Sequence, residues 1–106
     1  MSTSLFLQSI RAHMQVQRYS QRTIHTYIYW IRDYIRFNNL AHPKTLTSDQ
    51  VTEYLTYLAC TRHVASATQA IALNSLAFLY NKFLQQPLNN LPEFRRPHTQ
   101  RKLPVS

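Results

Sequence analysis

The chain has 106 residues, enough for one small domain, and its 44% hydrophobic content allows a modest core but is too low for a membrane protein. Twelve lysines and arginines against four acidic residues give a formal charge of +8, which favours a polyanionic partner, nucleic acid first. Glycine is absent, which excludes glycine-rich phosphate loops, dinucleotide fingerprints and nucleophile elbows, and the single cysteine, Cys60, excludes an internal disulfide or a cysteine-rich zinc site.

Two amphipathic helices are predicted in the first third of the chain. The first covers about Thr3 to Gln17, and the second begins at Ser20 and runs to about Phe37. Apolar residues of the second helix recur at three- and four-residue steps and should face the core: Ile24, Tyr27, Ile28, Ile31, Tyr34 and Ile35. Trp30 is expected at the core edge. The opposite side repeats basic and aromatic residues and forms a candidate binding surface or simply a solvated helix face: Arg22, His25, Tyr29, Arg32 and Arg36.

A third helix is predicted from Ser48 to Cys60. Asn38 and Asn39 suit the end of the preceding helix, since asparagine tolerates the left-handed conformation. Thr47 and Gln50 then form a capping-box pattern ahead of the next apolar run. Cys60 is expected to be a small apolar side chain at the end of this helix.

The fourth predicted helix, Ala67 to Gln85, is apolar nearly all round. Ser66 is a favoured N-cap and Gln69 completes a second capping box, so the exposed amides of this first turn would suit a phosphate, although both residues could be simple caps. A helix of this composition usually packs centrally. Its expected core residues are Ile71, Leu73, Leu76, Phe78, Leu79, Tyr80 and Phe83.

Charge concentrates beyond the fourth helix, where periodicity fades and prolines appear. We expect a domain over residues 1–87 and a basic tail or linker over 88–106, as in a chain that continues into another domain. The basic residues of this tail are Arg95, Arg96, Arg101 and Lys102.

Catalytic and metal-binding patterns are not found in the sequence. The carboxylates are scattered, and Asp49 with Glu53 is better explained as favourable charge at a helix start than as an acid/base pair. The histidines lack metal-ligand spacing, so we expect no metal, no cofactor and no small-molecule substrate. With no secretion signal or bilayer-spanning stretch, a cytoplasmic or nucleoid-associated protein is expected.

Several spaced motifs resemble the N-terminal part of an integron integrase, a tyrosine site-specific recombinase. They are YSQRTIHTYIYWIRDYIRF followed by HP, then RHVASATQAIALNSLAFLYNKFL, then RRPHTQRKLP. Ser20, Thr23 and Tyr27 match the general family pattern. The resemblance implies an all-α fold: a compact four-helix, SAM-like core-binding bundle with a basic C-terminal tail. It also implies that this domain clamps one face of recombination-site DNA while a separate C-terminal domain performs the chemistry, so no catalytic residue is carried onto this chain.

By the same resemblance, the second and fourth helices face the major groove. The implied DNA contacts are Arg22, Thr23, His25, Tyr29, Arg32, His63, Ser66, Thr68, Gln69 and Asn74. The implied phosphate contacts are Arg62, Lys82, Arg95, Arg96, Arg101 and Lys102. Taken alone, a histidine such as His63 is more often a surface linker residue than a DNA contact.

Two alternatives stay open. The chain could be the equivalent domain of a phage or Xer-type integrase, or a helical module through which recombinase protomers assemble. The expected partners are therefore DNA, as duplex or folded hairpin, and other protomers, with no membrane.

Overall fold

A computed structural model describes residues 3–86, and this part of the chain contains four α-helices and no strand. A short 3₁₀ turn, Pro43–Thr45, precedes the third helix, and a π-helical segment, Phe78–Phe83, continues the fourth. The helices are α1 (Thr3–Val16), α2 (Gln21–Phe37), α3 (Ser48–Cys60) and α4 (Ser66–Ala77). The all-α, four-helix expectation is confirmed.

Side-chain caps begin α2 and α3 where the sequence predicts them. The Ser20 hydroxyl accepts from the Thr23 amide at 3.1 Å. At α3, the Thr47 hydroxyl accepts from Asp49 N while the Gln50 side chain accepts from Thr47 N at 2.8 Å, which forms the predicted capping box. Both caps satisfy amides that the helix itself leaves without acceptors.

One hydrophobic core joins all four helices. The predicted stripe of α2 is buried apart from the half-buried Tyr27, and Trp30 is 8% exposed at the core edge. α2 packs against α1 and α4, and α4 packs also against α3. The largest fully buried side chains are Tyr34, Tyr54, Tyr80, Ile10, Met14, Ile24, Ile31, Ile35, Leu55, Leu58, Leu76 and Leu79.

The predicted bounds of the fourth helix need correction. The α-helix begins at Ser66 rather than Ala67 and ends at Ala77, after which the wider π-helical turn continues to Phe83. Ile71, predicted in the core, is 40% exposed, whereas Leu76 is fully buried. Because α4 is apolar on all sides, its sequence does not indicate which side faces solvent. Cys60 ends α3 as expected but is exposed.

The π-helical segment carries a buried polar network. The Tyr80 hydroxyl donates to the Pro43 carbonyl at 2.7 Å and lies 3.1 Å from the Tyr34 hydroxyl. Since a hydroxyl has one proton, Tyr34 donates to Tyr80. This chain of bonds, named here the neutral network, connects α2, the 3₁₀ turn and the π-helical segment.

The turns between helices use the left-handed conformation without glycine. Asn39 has φ 58° and Leu40 has φ 64°, immediately after α2. The asparagine stop predicted there is confirmed at Asn39, while Asn38 has φ −98° and donates its side-chain amide to the Tyr34 carbonyl.

Candidate nucleic-acid interface

The outward side of α2 carries the basic and aromatic residues that the sequence predicts for it. Burial of Ile24, Ile28 and Ile31 fixes the rotation of this helix. The residues on its other side are all exposed, and they are named here the α2 basic face: Arg22, His25, Tyr29, Arg32 and Arg36. Thr23 differs from them, because it is half-buried and its hydroxyl lies 3.0 Å from that of Ser20 within the helix cap.

The start of α4 is built differently from the prediction. Ala65, not Ser66, is the N-cap, and no side chain caps the helix. Gln69 does not complete a capping box, because its side-chain amide donates to the Leu55 carbonyl on α3 at 2.9 Å. The packing of α4 on α3 therefore supplies a better partner for Gln69 than the local cap. Without a side-chain acceptor, the first amides of α4 remain available to a phosphate oxygen.

The other predicted contacts near this helix start vary in exposure. His63 is exposed and has φ 52°, so it forms the bend of the α3–α4 link. Ser66 and Asn74 are exposed, whereas Thr68 and Gln69 are half-buried. The exposed members could reach a ligand without any change in packing.

An ion pair connects the α3–α4 link to α2. Arg62 Nη1 donates to Asp33 Oδ2 at 2.7 Å, and the Tyr54 hydroxyl donates to the same oxygen at 2.6 Å. The three residues are named here the Asp33 cluster. Asp33 lies one helical turn from both Tyr29 and Arg36. The structure therefore brings the α2 basic face and the link that leads into α4 together.

Lys82 lies on neither α2 nor the start of α4. It is exposed in the π-helical segment and lines an open groove of about 540 Å³ with His13, Tyr19 and Phe78. The remaining predicted phosphate contacts, Arg95, Arg96, Arg101 and Lys102, lie outside the described residues, as does the predicted linker over 88–106.

Burial raises the pKa of the Tyr34, Tyr54 and Tyr80 hydroxyls above the ordinary value, with the largest changes at Tyr34 and Tyr54. A hydrogen bond between Tyr34 and Tyr80 adds to the change at Tyr34, and one to Asp33 adds to the change at Tyr54. These tyrosines stay protonated and act as hydrogen-bond donors inside the fold.

Within residues 3–86, no group of three or more histidine, cysteine, aspartate or glutamate residues is arranged to hold a metal ion. Over the same range, no helix is both long enough and apolar enough to cross a membrane.

Residues 6–90 match the family described as the phage integrase N-terminal SAM-like domain. The chain belongs to this family. It is also 40% identical over 99 residues to proteins named "Integrase/recombinase" from Escherichia coli and Pseudomonas aeruginosa. Each match covers 93% of this chain but 29% of the relative, so the chain spans less than a third of their length.

Sequence reasoning missed two residues of this phage integrase SAM-like domain. In the sequence, Asp33 is one of four scattered acidic residues, and Tyr54 belongs to the apolar run of α3. One sequence feature does single out Asp33. It is the one acidic residue of α2, and it lies among the basic and aromatic residues Tyr29, Arg32 and Arg36. Its partners could not be read from the sequence, because Arg62 is 29 residues away and Tyr54 is 21.

Proposed function

We propose that this chain is the DNA-binding core-binding domain of an integron-type tyrosine recombinase. It clamps recombination-site DNA while a catalytic domain outside this sequence cuts and joins the strands. Membership in the phage integrase SAM-like family and the names of the two relatives support a recombinase. The integron assignment rests on the sequence resemblance, and a phage or Xer-type integrase is the alternative within the same class.

The α2 basic face is the observation that carries the DNA proposal. Its five residues are all exposed along one side of a helix whose other side is locked in the core. Arginine side chains at this spacing can follow a phosphate backbone, and Tyr29 and His25 can contact sugars or bases. The formal charge of +8 favours association with any polyanion, so the test must separate this face from charge in general.

Contacts in this proposal fall into two groups. Arg22, Arg32 and Lys82 neutralise phosphates, together with the four basic residues of the 88–106 linker. The second group approaches the major groove. From α2 it contains Thr23, His25 and Tyr29. From the α3–α4 link and α4 it contains His63, Ser66, Thr68, Gln69 and Asn74. The protein acts in the bacterial cytoplasm, on nucleoid DNA.

Charge reversal tests the face directly. Fluorescence anisotropy with labelled duplex DNA should give a dissociation constant of about micromolar or weaker, with log affinity falling by about 0.9 per neutralised phosphate as log salt rises. Replacing Arg22 and Arg32 with Glu should abolish binding while circular dichroism shows an intact helical fold.

A matched control reverses two basic residues elsewhere. Arg11 on α1 and Lys44 in the 3₁₀ turn lie outside the α2 basic face. The double change Arg11→Glu and Lys44→Glu alters net charge equally, so it should weaken binding only modestly. Equal losses in both double variants would show that binding depends on net charge alone, and affinity that ignores salt would contradict the proposal.

A subunit-assembly role is the second candidate, favoured by one observation. Ile71 on α4 is 40% exposed, and this exposed apolar side chain would be covered in a protein contact. Sedimentation velocity of the chain and of Ile71→Glu tests this role, since assembly through α4 would be lost in the variant.

A further inference from the structure

The Asp33 cluster joins three consecutive parts of the fold at one oxygen atom. Asp33 lies on α2, Tyr54 on α3, and Arg62 two residues beyond the end of α3. Asp33 Oδ2 accepts from Arg62 at 2.7 Å and from the Tyr54 hydroxyl at 2.6 Å. These short, charge-assisted bonds are stronger than neutral ones and restrict the direction of each donor.

Arg62 is held by further contacts on its other sides. Its guanidinium carbon lies 5.9 Å from the centroid of the Tyr57 ring, within reach of a cation–π interaction. Its partial burial lowers the pKa of Arg62, but hydrogen bonds with Tyr29 and Asp33 outweigh this and raise the pKa above its ordinary value. The side chain is 31% exposed, so water screens the pair only in part.

The backbone around Arg62 explains why its position is important. The Arg62 amide donates to Tyr57 O at 3.1 Å, and Val64 N donates to Leu58 O at 3.1 Å, which folds the link against the end of α3. Between them, His63 turns the chain with φ 52°. Ala65 then begins α4 without a side-chain cap. Among these link residues, Arg62 is the one whose side chain makes an ion pair with α2.

We infer that Arg62 is a positioning residue, whose ion pair with Asp33 sets the spacing between the α2 basic face and the start of α4. This inference rests on the proposed function, because both elements are the proposed DNA contacts. The sequence resemblance implies that Arg62 contacts a phosphate, and we assign it this positioning role instead. A phosphate would compete with Asp33 for the Nη1 donor of a guanidinium that also bonds Tyr29 and lies beside the Tyr57 ring. Arg22 and Arg32, by contrast, are exposed on the face itself.

The salt dependence of DNA binding separates the two roles. A phosphate ligand contributes about 0.9 to the slope of log affinity against log salt, whereas a positioning residue contributes nothing to it. Anisotropy with duplex DNA is therefore measured over a salt series for the wild type, Arg62→Gln, Asp33→Asn and the double variant. Arg32→Gln is the matched control, and its slope should fall by about 0.9.

If Arg62 is a positioning residue, the variants should give the following results. Arg62→Gln and Asp33→Asn should each weaken binding about three- to tenfold with an unchanged slope, and the double variant should be no weaker than either, as expected for two coupled residues. Arg62→Lys, which keeps the charge and can still reach the carboxylate, should recover part of the loss. If Arg62→Gln lowers the slope by about 0.9, or if Asp33→Asn tightens binding because it frees Arg62 for DNA, the inference is overturned.

A second measurement does not depend on DNA. Backbone order parameters from nuclear magnetic resonance should fall over residues 61–66 in Arg62→Gln and Asp33→Asn, while the rest of the helices keep their values. An unchanged link in both variants would overturn the inference even if DNA binds. Loosening of the link in a protein that does not bind DNA would instead support the positioning role and contradict the proposed function.

Discussion

Two hydroxyl networks connect elements of this fold, and they differ in burial and charge. The neutral network joins Tyr34, Tyr80 and the Pro43 carbonyl among side chains that are nearly inaccessible to water. The Asp33 cluster uses a tyrosine too, but it ends in an ion pair whose side chains are 31% and 25% exposed. A buried network without charge avoids the large desolvation cost of ions, so it can serve stability. A half-exposed charged cluster adds less stability and stands where a ligand can approach.

Alkaline pH should have the largest effect on the neutral network. Burial, then the Tyr34–Tyr80 hydrogen bond, raises the pKa of Tyr34 above the ordinary value of 10.0, and burial also raises that of Tyr80. The unfolded chain therefore loses these protons first as pH rises. Stability from this source is complete below about pH 10 and is lost above it, by up to about 1.4 kcal/mol per pH unit for each tyrosine.

Urea unfolding at increasing pH measures this loss, with tyrosinate absorbance as a second signal. Tyr34→Phe removes one of the titrating groups, so stability should fall less steeply with pH in this variant than in the wild type. The appearance of Tyr34 or Tyr80 tyrosinate in the still-folded protein would contradict the prediction.

Removal of the central hydroxyl should come next in size. Tyr80→Phe leaves the buried Tyr34 hydroxyl without its partner and removes one of the two donors to the Pro43 carbonyl, which keeps its bond from Leu46 N at 3.0 Å. The free energy of unfolding should therefore fall by about 1–3 kcal/mol. Tyr34→Phe is the matched control, because Tyr80 keeps its bond to Pro43, and it should cost less. Urea melts compare the two. Equal losses would mean that the bond to Pro43 contributes little.

Neutralising the Asp33 cluster should destabilise the protein less than Tyr80→Phe. In Asp33→Asn the side-chain oxygen can still accept from Tyr54, and the lost ion pair is partly exposed, so we expect a change of about 0–1 kcal/mol in unfolding free energy. Thermal and urea melts measure it. A loss as large as that of Tyr80→Phe would remove the distinction between a structural and a functional network.

The smallest effect is expected at the start of α4, beside the Asp33 cluster. Ser66 lies inside the helix and makes no cap, so Ser66→Ala should change stability by less than about 0.5 kcal/mol. Thr47→Ala, which removes the capping box of α3, should cost about 1 kcal/mol. Thermal melts of the two variants compare the helix starts, and a larger loss for Ser66→Ala would mean that it caps α4.

Local sequence patterns predict much of this fold because local physics decides those parts. The α3 bounds and capping box follow from residues three apart, and the exposed side of α2 follows from the apolar repeat on its other side. The same reasoning fails for the capping box predicted from Ser66 and Gln69. The Gln69 side-chain amide donates instead to the carbonyl of Leu55, which is 14 residues earlier in the chain. A local pattern cannot include a competing partner from another helix.

In the candidate site, too, features set by local spacing could be predicted and features set by packing between helices could not. The α2 basic face could be predicted, since helical spacing alone places its residues together. The pairing of Asp33 with Arg62 could not, because it depends on how α2 packs near the α3–α4 link. The π-helical turn also has no clear local signal, although it carries the Tyr80 hydroxyl that bonds Pro43.

The bends between helices have a mechanical consequence. Leu40 and His63 carry full side chains in a backbone conformation that costs an ordinary residue about 1–2 kcal/mol, and the chain contains no glycine to relieve it. These conformations persist because neighbouring bonds hold them, from Leu40 N to Ile35 O after α2 and from Val64 N to Leu58 O after α3. The denatured chain also has fewer conformations to explore than a glycine-containing one. Each bend therefore depends on its contacts with the end of the preceding helix, and loss of those contacts would let the backbone leave the left-handed conformation.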